Sequence, residues 1–141
     1  MMKKNAMRVL LLWVVVLLST FQLNARDKKT STIYVFAYGI CFNDSVVYLS
    51  GVERVSGDVV DGKTNFLNNR SAYSSAFKRY LDGVNGKTHT CAVLFKAKRE
   101  KLEKIYLKIK RDTQKRKDTR FVEIPVADFC FSDVMAKEEQ K

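Results

Sequence analysis

The chain has 141 residues, with 26 Lys and Arg against 15 Asp and Glu, a formal net charge of +11, three Cys and one His. That length suits one small domain around one core, with no internal repeat and no second domain. Cys41, Cys91 and Cys130 form no CxxC pair, which argues against a zinc framework or a thioredoxin-type redox motif, and the six scattered Gly form no phosphate-binding loop.

In chain order, Lys3, Lys4 and Arg8 precede an unbroken apolar run of ten residues over 9–18, and a more polar stretch ends at Ala25. A positive start, a short apolar centre and a small closing residue are the layout of a secretory signal peptide. The run is shorter than the roughly 20 apolar residues of a membrane-spanning helix. The expectation is a signal peptide over 1–25 and export to the periplasm, the cell envelope or the exterior. An uncleaved N-terminal anchor is the structural alternative. No Cys sits just after the run, which argues against a lipid-anchored lipoprotein.

Residues 1–25 hold three basic residues and no acid, so their removal leaves 23 basic against 15 acidic. The stretch 96–117 alone contains eleven Lys or Arg and three Asp or Glu, a net of +8 that equals this whole excess. The basic character is therefore local. An odd number of Cys in an exported chain allows at most one internal disulfide. Each Cys lies in an apolar, strand-like run and reads as a small buried hydrophobe, with a Cys41–Cys91 bridge between neighbouring strands as the sharper alternative.

Residues 26–32 form a polar leader. A single domain follows over 33–131, and 132–141 is a polar tail. The run 33–42 is rich in β-branched and aromatic residues and predicts a strand. Tyr34, Phe36, Tyr38, Ile40 and Phe42 share one face; Ile33, Val35, Ala37, Gly39 and Cys41 share the other. Two apolar faces predict a strand covered on both sides or central in its sheet. Asn43-Asp44 predicts a tight turn, since both residues tolerate left-handed angles. A return strand over 45–55 follows, with Gly51 marking a bulge.

Gly57-Asp58 and Asp61-Gly62 are turn signals. Asp58-x-x-Asp61-Gly62 lacks the ligand ladder and terminal Glu of a calcium-binding EF-hand loop, so ordinary turn aspartates are the better reading. Ser71 is a suitable N-cap for a helix with Tyr73, Ala76, Phe77, Tyr80 and Leu81 on one face, and Gly83 is placed to end it. A strand is predicted over 91–95, a helix over 98–112 and a last strand over 121–131, where Pro125 indicates a sheet edge. Leu102, Ile105, Tyr106 and Ile109 give the second helix the strongest periodic signal in the chain. The order is ββαβαβ. The expected fold class is α/β (α+β), a mixed four-stranded sheet with two helices, the first hairpin antiparallel and the last two strands parallel.

The runs TIYVFAYGICFNDSVVY over 32–48 and TCAVLFKAKREKLEKIYLKIKRD over 90–112 resemble small signal-peptide-bearing proteins of unknown function from gut Bacteroidetes. The resemblance covers most of the chain after the signal segment. It implies a bacterial, exported protein and carries over no catalytic residue.

His89 and Cys91 lie two apart on a strand and leave it on the same side, nearly 7 Å apart at Cα, with side chains running parallel rather than aimed at each other. That is poor geometry for a nucleophile–base pair, and His89 reads as a polar residue at the strand's entry. No HExxH or HxxxH exists. The sequence accordingly names no catalytic, cofactor-binding or metal-binding residue. Two function classes stand: a non-catalytic exported module that binds an anionic surface or partner, and a small envelope-processing hydrolase with an unidentified site. A concave pocket holding ionisable groups with shifted pKa values favours the second; a basic face without one favours the first. The candidate anion- or partner-binding residues are Lys104, Lys108 and Arg111, which project from the helix face opposite its apolar stripe, each about one turn from the next, and Lys115, which joins them if the helix runs one turn further. The plainer alternative is a solvated face that confers solubility. The expected partner is an anionic envelope component or another protein. Nucleic acid is not expected, because the strip lacks interleaved aromatics for base stacking.

Overall fold

The computed structural model describes residues 31–57, 60–133 and 140. The expected signal peptide over 1–25 lies outside the described residues, as does Asp58. The first strand, β1 (Ser31–Cys41), begins inside the stretch read as a leader and runs for 11 residues. Its β-branched and aromatic side chains alternate between two buried faces, as the pattern predicts. Ile33, Val35 and Ala37 enter one apolar cluster; Phe36 enters another, flanked by Tyr34 and Tyr38.

β2 (Asp44–Ser50) returns antiparallel to β1, pairing Leu49 with Tyr38 and Val47 with Ile40. The turn is Phe42-Asn43, one residue earlier than expected, and neither residue takes a positive φ. A register shift between Ile40 and Cys41 absorbs the mismatch instead. The early turn also ejects Phe42 from the apolar face assigned to it and leaves it fully exposed.

The return strand breaks at Gly51-Val52, and β3 (Glu53–Gly57) continues beside the first half of β1 with its register advanced by one. An extra residue of this kind is a β-bulge. Ser50 Oγ accepts the Ala37 amide at 2.7 Å and satisfies a buried donor at the break. Gly51 is required there, since a Cβ on it would lie 2.6 Å from Val126 Cγ2. The sheet consequently has five strands rather than four, although they fill only four rows.

α1 (Arg70–Asn85) buries Tyr73, Ala76, Phe77 and Leu81. Asn69, not Ser71, precedes it in a left-handed conformation. The helix passes through Gly83 and ends at Gly86, whose φ of 64° supplies the left-handed cap. β4 (Thr90–Lys96) pairs antiparallel with the other edge of β1, Cys91 opposite Gly39 and Phe95 opposite Val35. α2 (Arg99–Gln114) then crosses the sheet to β5 (Arg120–Ile124), which pairs parallel with β2. β5 stops before Pro125, so the expected strand over 121–131 covers only its first part. β4 and β5 point the same way but occupy opposite edges of the sheet, which runs β4, β1, β2 with β3 end-on, then β5.

The two helices cover opposite faces. α1 packs on Ile33, Val35, Ala37, Val46, Tyr48 and Val93, with Phe129 and Phe131 folding back onto the same face. It approaches closely at Gly39, where a Cβ would meet Leu81 Cδ1 at 2.5 Å. α2 places Leu102, Ile105, Tyr106 and Ile109 against Phe36 and Leu49. Each large apolar side chain buried this way contributes about 1.5–3 kcal/mol. Among the described residues, no helix is long and apolar enough to cross a membrane.

Candidate functional site

The outer face of α2 follows from the same periodicity that buries its inner face. Lys104, Lys108, Arg111 and Lys115 are all exposed, and none has an ion-pair partner within 4.0 Å among the described residues. Lys115 sits at the helix C-cap, where its amide donates to the carbonyls of Arg111 and Thr113. A cation in this last turn is also favoured by the helix dipole. Leu107 lies on the same face and is 56% exposed, so the strip is cationic with one apolar insertion. The spacing of Leu107 from Lys104 and Lys108 is the sequence signal that places it there.

Other cations of the run are structural. Arg99 pairs with Glu103 at 2.6 Å. Lys110 donates to Glu123 Oε1 at 3.1 Å and its ammonium lies 5.7 Å from the centre of the Phe121 ring. Tyr106 donates its hydroxyl to the same Glu123 oxygen at 2.8 Å and stands edge-on to Phe36. Burial, followed by the Glu123 contact, raises the Tyr106 pKa, while the Tyr106 and Lys110 donors lower that of Glu123. This cluster fastens α2 to β5 and leaves its outer cations free.

His89 is 1% exposed and fully committed. Its Nδ1 lies 2.9 Å from Asp82 Oδ1, its backbone amide donates to the same oxygen at 2.8 Å, and its Nε2 lies 3.3 Å from Asn85 Nδ2. A ring that donates from Nδ1 to Asp82 and accepts at Nε2 from Asn85 satisfies both side chains. The ring also packs edge-on to Tyr48. His89 thus ties the end of α1 to the start of β4 and has no ring nitrogen left for a substrate.

Lys78, the first cause, and His89 together hold the Asp82 carboxyl down to about 2. Cys91 is half-buried rather than buried, and its thiol is pushed up to about 11 by burial and then by the Asp82 charge. A thiol with that pKa is protonated at neutral pH and is a poor nucleophile. All three Cys are free. Cys91 stands opposite Gly39, two positions out of register with Cys41. Diagonal strand neighbours are about 7–8 Å apart, too far for a disulfide.

Among the described residues, no three His, Cys, Asp or Glu side chains converge as a metal site would require. Asp61 accepts the amides of Lys63 and Thr64, which lower its pKa and define an ordinary aspartate turn. Two surface hollows flank the β1–β2 turn: one lined by Cys41, Phe42, Asn43, Lys87, Thr88 and Thr90, the other by the start of β2 and Lys117, Asp118, Thr119 and Arg120.

Glu53 carries no local sequence signal of its role. This β3 carboxylate is 9% exposed and accepts the amides of Phe131 at 2.7 Å and Ser132 at 2.9 Å, the Ser132 hydroxyl, and the Cys130 thiol at 3.1 Å. It anchors the C-terminal segment to the sheet.

The fold and its surface define a small mixed-sheet α+β domain with a cationic outer helix. No protein-family model, curated protein or solved structure matches this chain.

Proposed function

We propose that this chain is an exported, non-catalytic bacterial protein that binds an anionic surface or partner through the outer face of α2. The observation that carries the reading is the set of four exposed cations, Lys104, Lys108, Arg111 and Lys115, without ion-pair partners among the described residues, on a helix whose other face packs on the sheet. Export is supported by the layout of residues 1–25 and by the resemblance to signal-bearing Bacteroidetes proteins. A non-catalytic role is supported by the saturated contacts of His89 and the raised pKa of Cys91.

The test compares the exported form of the protein with a variant carrying Lys104→Glu, Lys108→Glu and Arg111→Glu. Retention on heparin and on anionic liposomes is measured at low and high salt. A cation near an anionic surface contributes about 1 kcal/mol, so three together are worth about a hundredfold in affinity. The wild type is expected to bind at low salt and release as the Debye length falls below about 10 Å. Equal retention of the triple variant would reduce the strip to a solvated face. N-terminal sequencing of the protein from envelope fractions tests export: a new terminus near Ala25 is expected, and an intact Met1 on protein held in the cytoplasm overturns it.

A further inference from the structure

The topology gathers unlike groups at one end of the molecule. β1 turns into β2 there, α1 ends at Gly86, and β5 begins at Arg120 after the α2 exit. At the tip stands Phe42, fully exposed, with Ile40 two residues before it near the end of β1 and also exposed. Lys87 closes one flank, reaching Asp44 Oδ2 at 3.0 Å. Lys117 and Arg120 line the hollow on the other flank. Lys87, Lys117 and Arg120 line these hollows with two acids, Asp44 and Asp118, and Lys115 and Arg116 precede them in the chain at the α2 exit. The helix dipole accounts for a cation at Lys115. It does not account for Lys117 and Arg120, which lie beyond the helix, or for an aromatic ring in water.

The geometry points to this hairpin end as a docking surface for an anionic phospholipid bilayer, with the Phe42 ring inserted below the headgroups and Lys87, Lys117 and Arg120 meeting their phosphates. The inference rests on the reading that this chain meets an anionic partner, and it names which one. A single exposed hydrophobe is ordinary by itself; its setting is what selects the occupant. A stable protein interface buries about 800 Å² per partner around an apolar centre, whereas here one exposed ring stands at the rim of a hollow it shares with Cys41, Lys87 and Thr90, with a second hollow lined by Lys117, Asp118 and Arg120 on the other side of the turn. A soluble polyanion complements the cations but offers nothing to the ring. A bilayer presents phosphates and, directly beneath them, apolar chains, which is the order in which the cations and the ring are arranged.

The experiment uses the exported form and measures partitioning onto vesicles of phosphatidylcholine with and without phosphatidylglycerol, beside retention on heparin. Phe42→Ala removes a side chain that touches no core, so the fold is expected to persist, as a circular dichroism spectrum checks. The expected result is binding only to the phosphatidylglycerol vesicles, a loss of about tenfold in Phe42→Ala, and unchanged retention of that variant on heparin. Phe42→Trp supplies a depth probe. The sequence's one Trp is Trp13, inside the expected signal segment, and the unsubstituted protein serves as the blank. Its emission is expected to shift to the blue on anionic vesicles and to stay put with heparin.

Equal vesicle binding by Phe42→Ala, or an unshifted Trp, overturns the inference. So does a wild type that binds heparin and ignores vesicles, which identifies the partner as a polyanion or a protein. In each of these cases a salt-sensitive heparin interaction lost in the triple α2 variant leaves the proposed function standing. Loss of heparin binding in Phe42→Ala also overturns the inference, because the ring would then act on a ligand that has no apolar interior.

Discussion

Glu53 offers the sharpest stability test. In Glu53→Gln the side chain keeps its shape but one oxygen becomes an NH₂, which cannot accept a hydrogen bond. Oε1 receives three donors, Ser132 N–H, Ser132 O–H and the Cys130 thiol, and Oε2 receives the Phe131 amide. The least costly amide orientation keeps oxygen at the Oε1 position and sets NH₂ against the Phe131 N–H. An unsatisfied buried donor costs about 1–3 kcal/mol. The remaining bonds also weaken, because bonds to a charged acceptor are worth about 1.5–3 kcal/mol against about 1 for neutral ones. Relief of the carboxylate's desolvation offsets part of this. A net loss of about 2–3 kcal/mol follows, equivalent to about 10–15 °C in Tm for a domain of roughly 100 residues. Urea and thermal unfolding by circular dichroism give the global value, and amide exchange at Phe131 and Ser132 reports the local one. An unchanged midpoint, or a lowered midpoint with both amides still protected, would refute the clamp.

Two further outcomes follow from shifted groups. The Asp82 pKa is about 2 in the fold, below its ordinary value of 3.8, so its stabilisation is present above about pH 4 and is lost as pH falls toward 2. Urea midpoints taken at pH 5, 3 and 2 are expected to decline more steeply in the wild type than in Asp82→Asn, and parallel declines would count against the Lys78–Asp82–His89 arrangement. With Cys41 and Cys130 changed to Ser, labelling of Cys91 is expected to be slow at neutral pH and to keep accelerating past pH 9, as a thiol with a pKa of about 11 requires. A rate that levels off near pH 8.5 is that of an ordinary thiol.

What the sequence reveals here is what depends on local repetition. Leu102, Ile105, Tyr106 and Ile109 sit on one helical stripe whatever they pack against, so the buried and free faces of α2 are both readable. The double-sided burial of β1 is readable for the same reason, and the two helices do cover its two faces. Position along the chain hides the rest. Glu53 meets partners 77 to 79 residues away, and nothing local distinguishes it from an exposed strand Glu. The β2–β3 break depends on Ser50 reaching Ala37 across the hairpin and on Val126 arriving over Gly51. Phe42 was misplaced because strand alternation continues smoothly through it, and only the hairpin register ends the strand at Cys41. Gly83 does not stop the helix because one glycine costs only about 1 kcal/mol, and the contacts of Asp82 and Asn85 with His89 hold the last turn on either side of it.

The distribution of charge on α2 separates two uses of the same residue type. Arg99 and Lys110 have carboxylate partners and help hold the helix in place. Lys104, Lys108, Arg111 and Lys115 do neither, and their spacing sets like charges three or four residues apart along one face. Such pairs destabilise a helix by about 0.2–0.5 kcal/mol each. The helix bears that repulsion because its inner face is secured by packing on Phe36 and Leu49 and by the Tyr106–Glu123–Lys110 cluster. Solubility alone would be served by mixing acids among the lysines, which would remove the repulsion and keep the surface polar. An anion lying across the strip does the same from outside: it relieves the repulsion between neighbouring cations while pairing with each. On the proposed function, anion binding would therefore be linked to helix stability through the same four side chains.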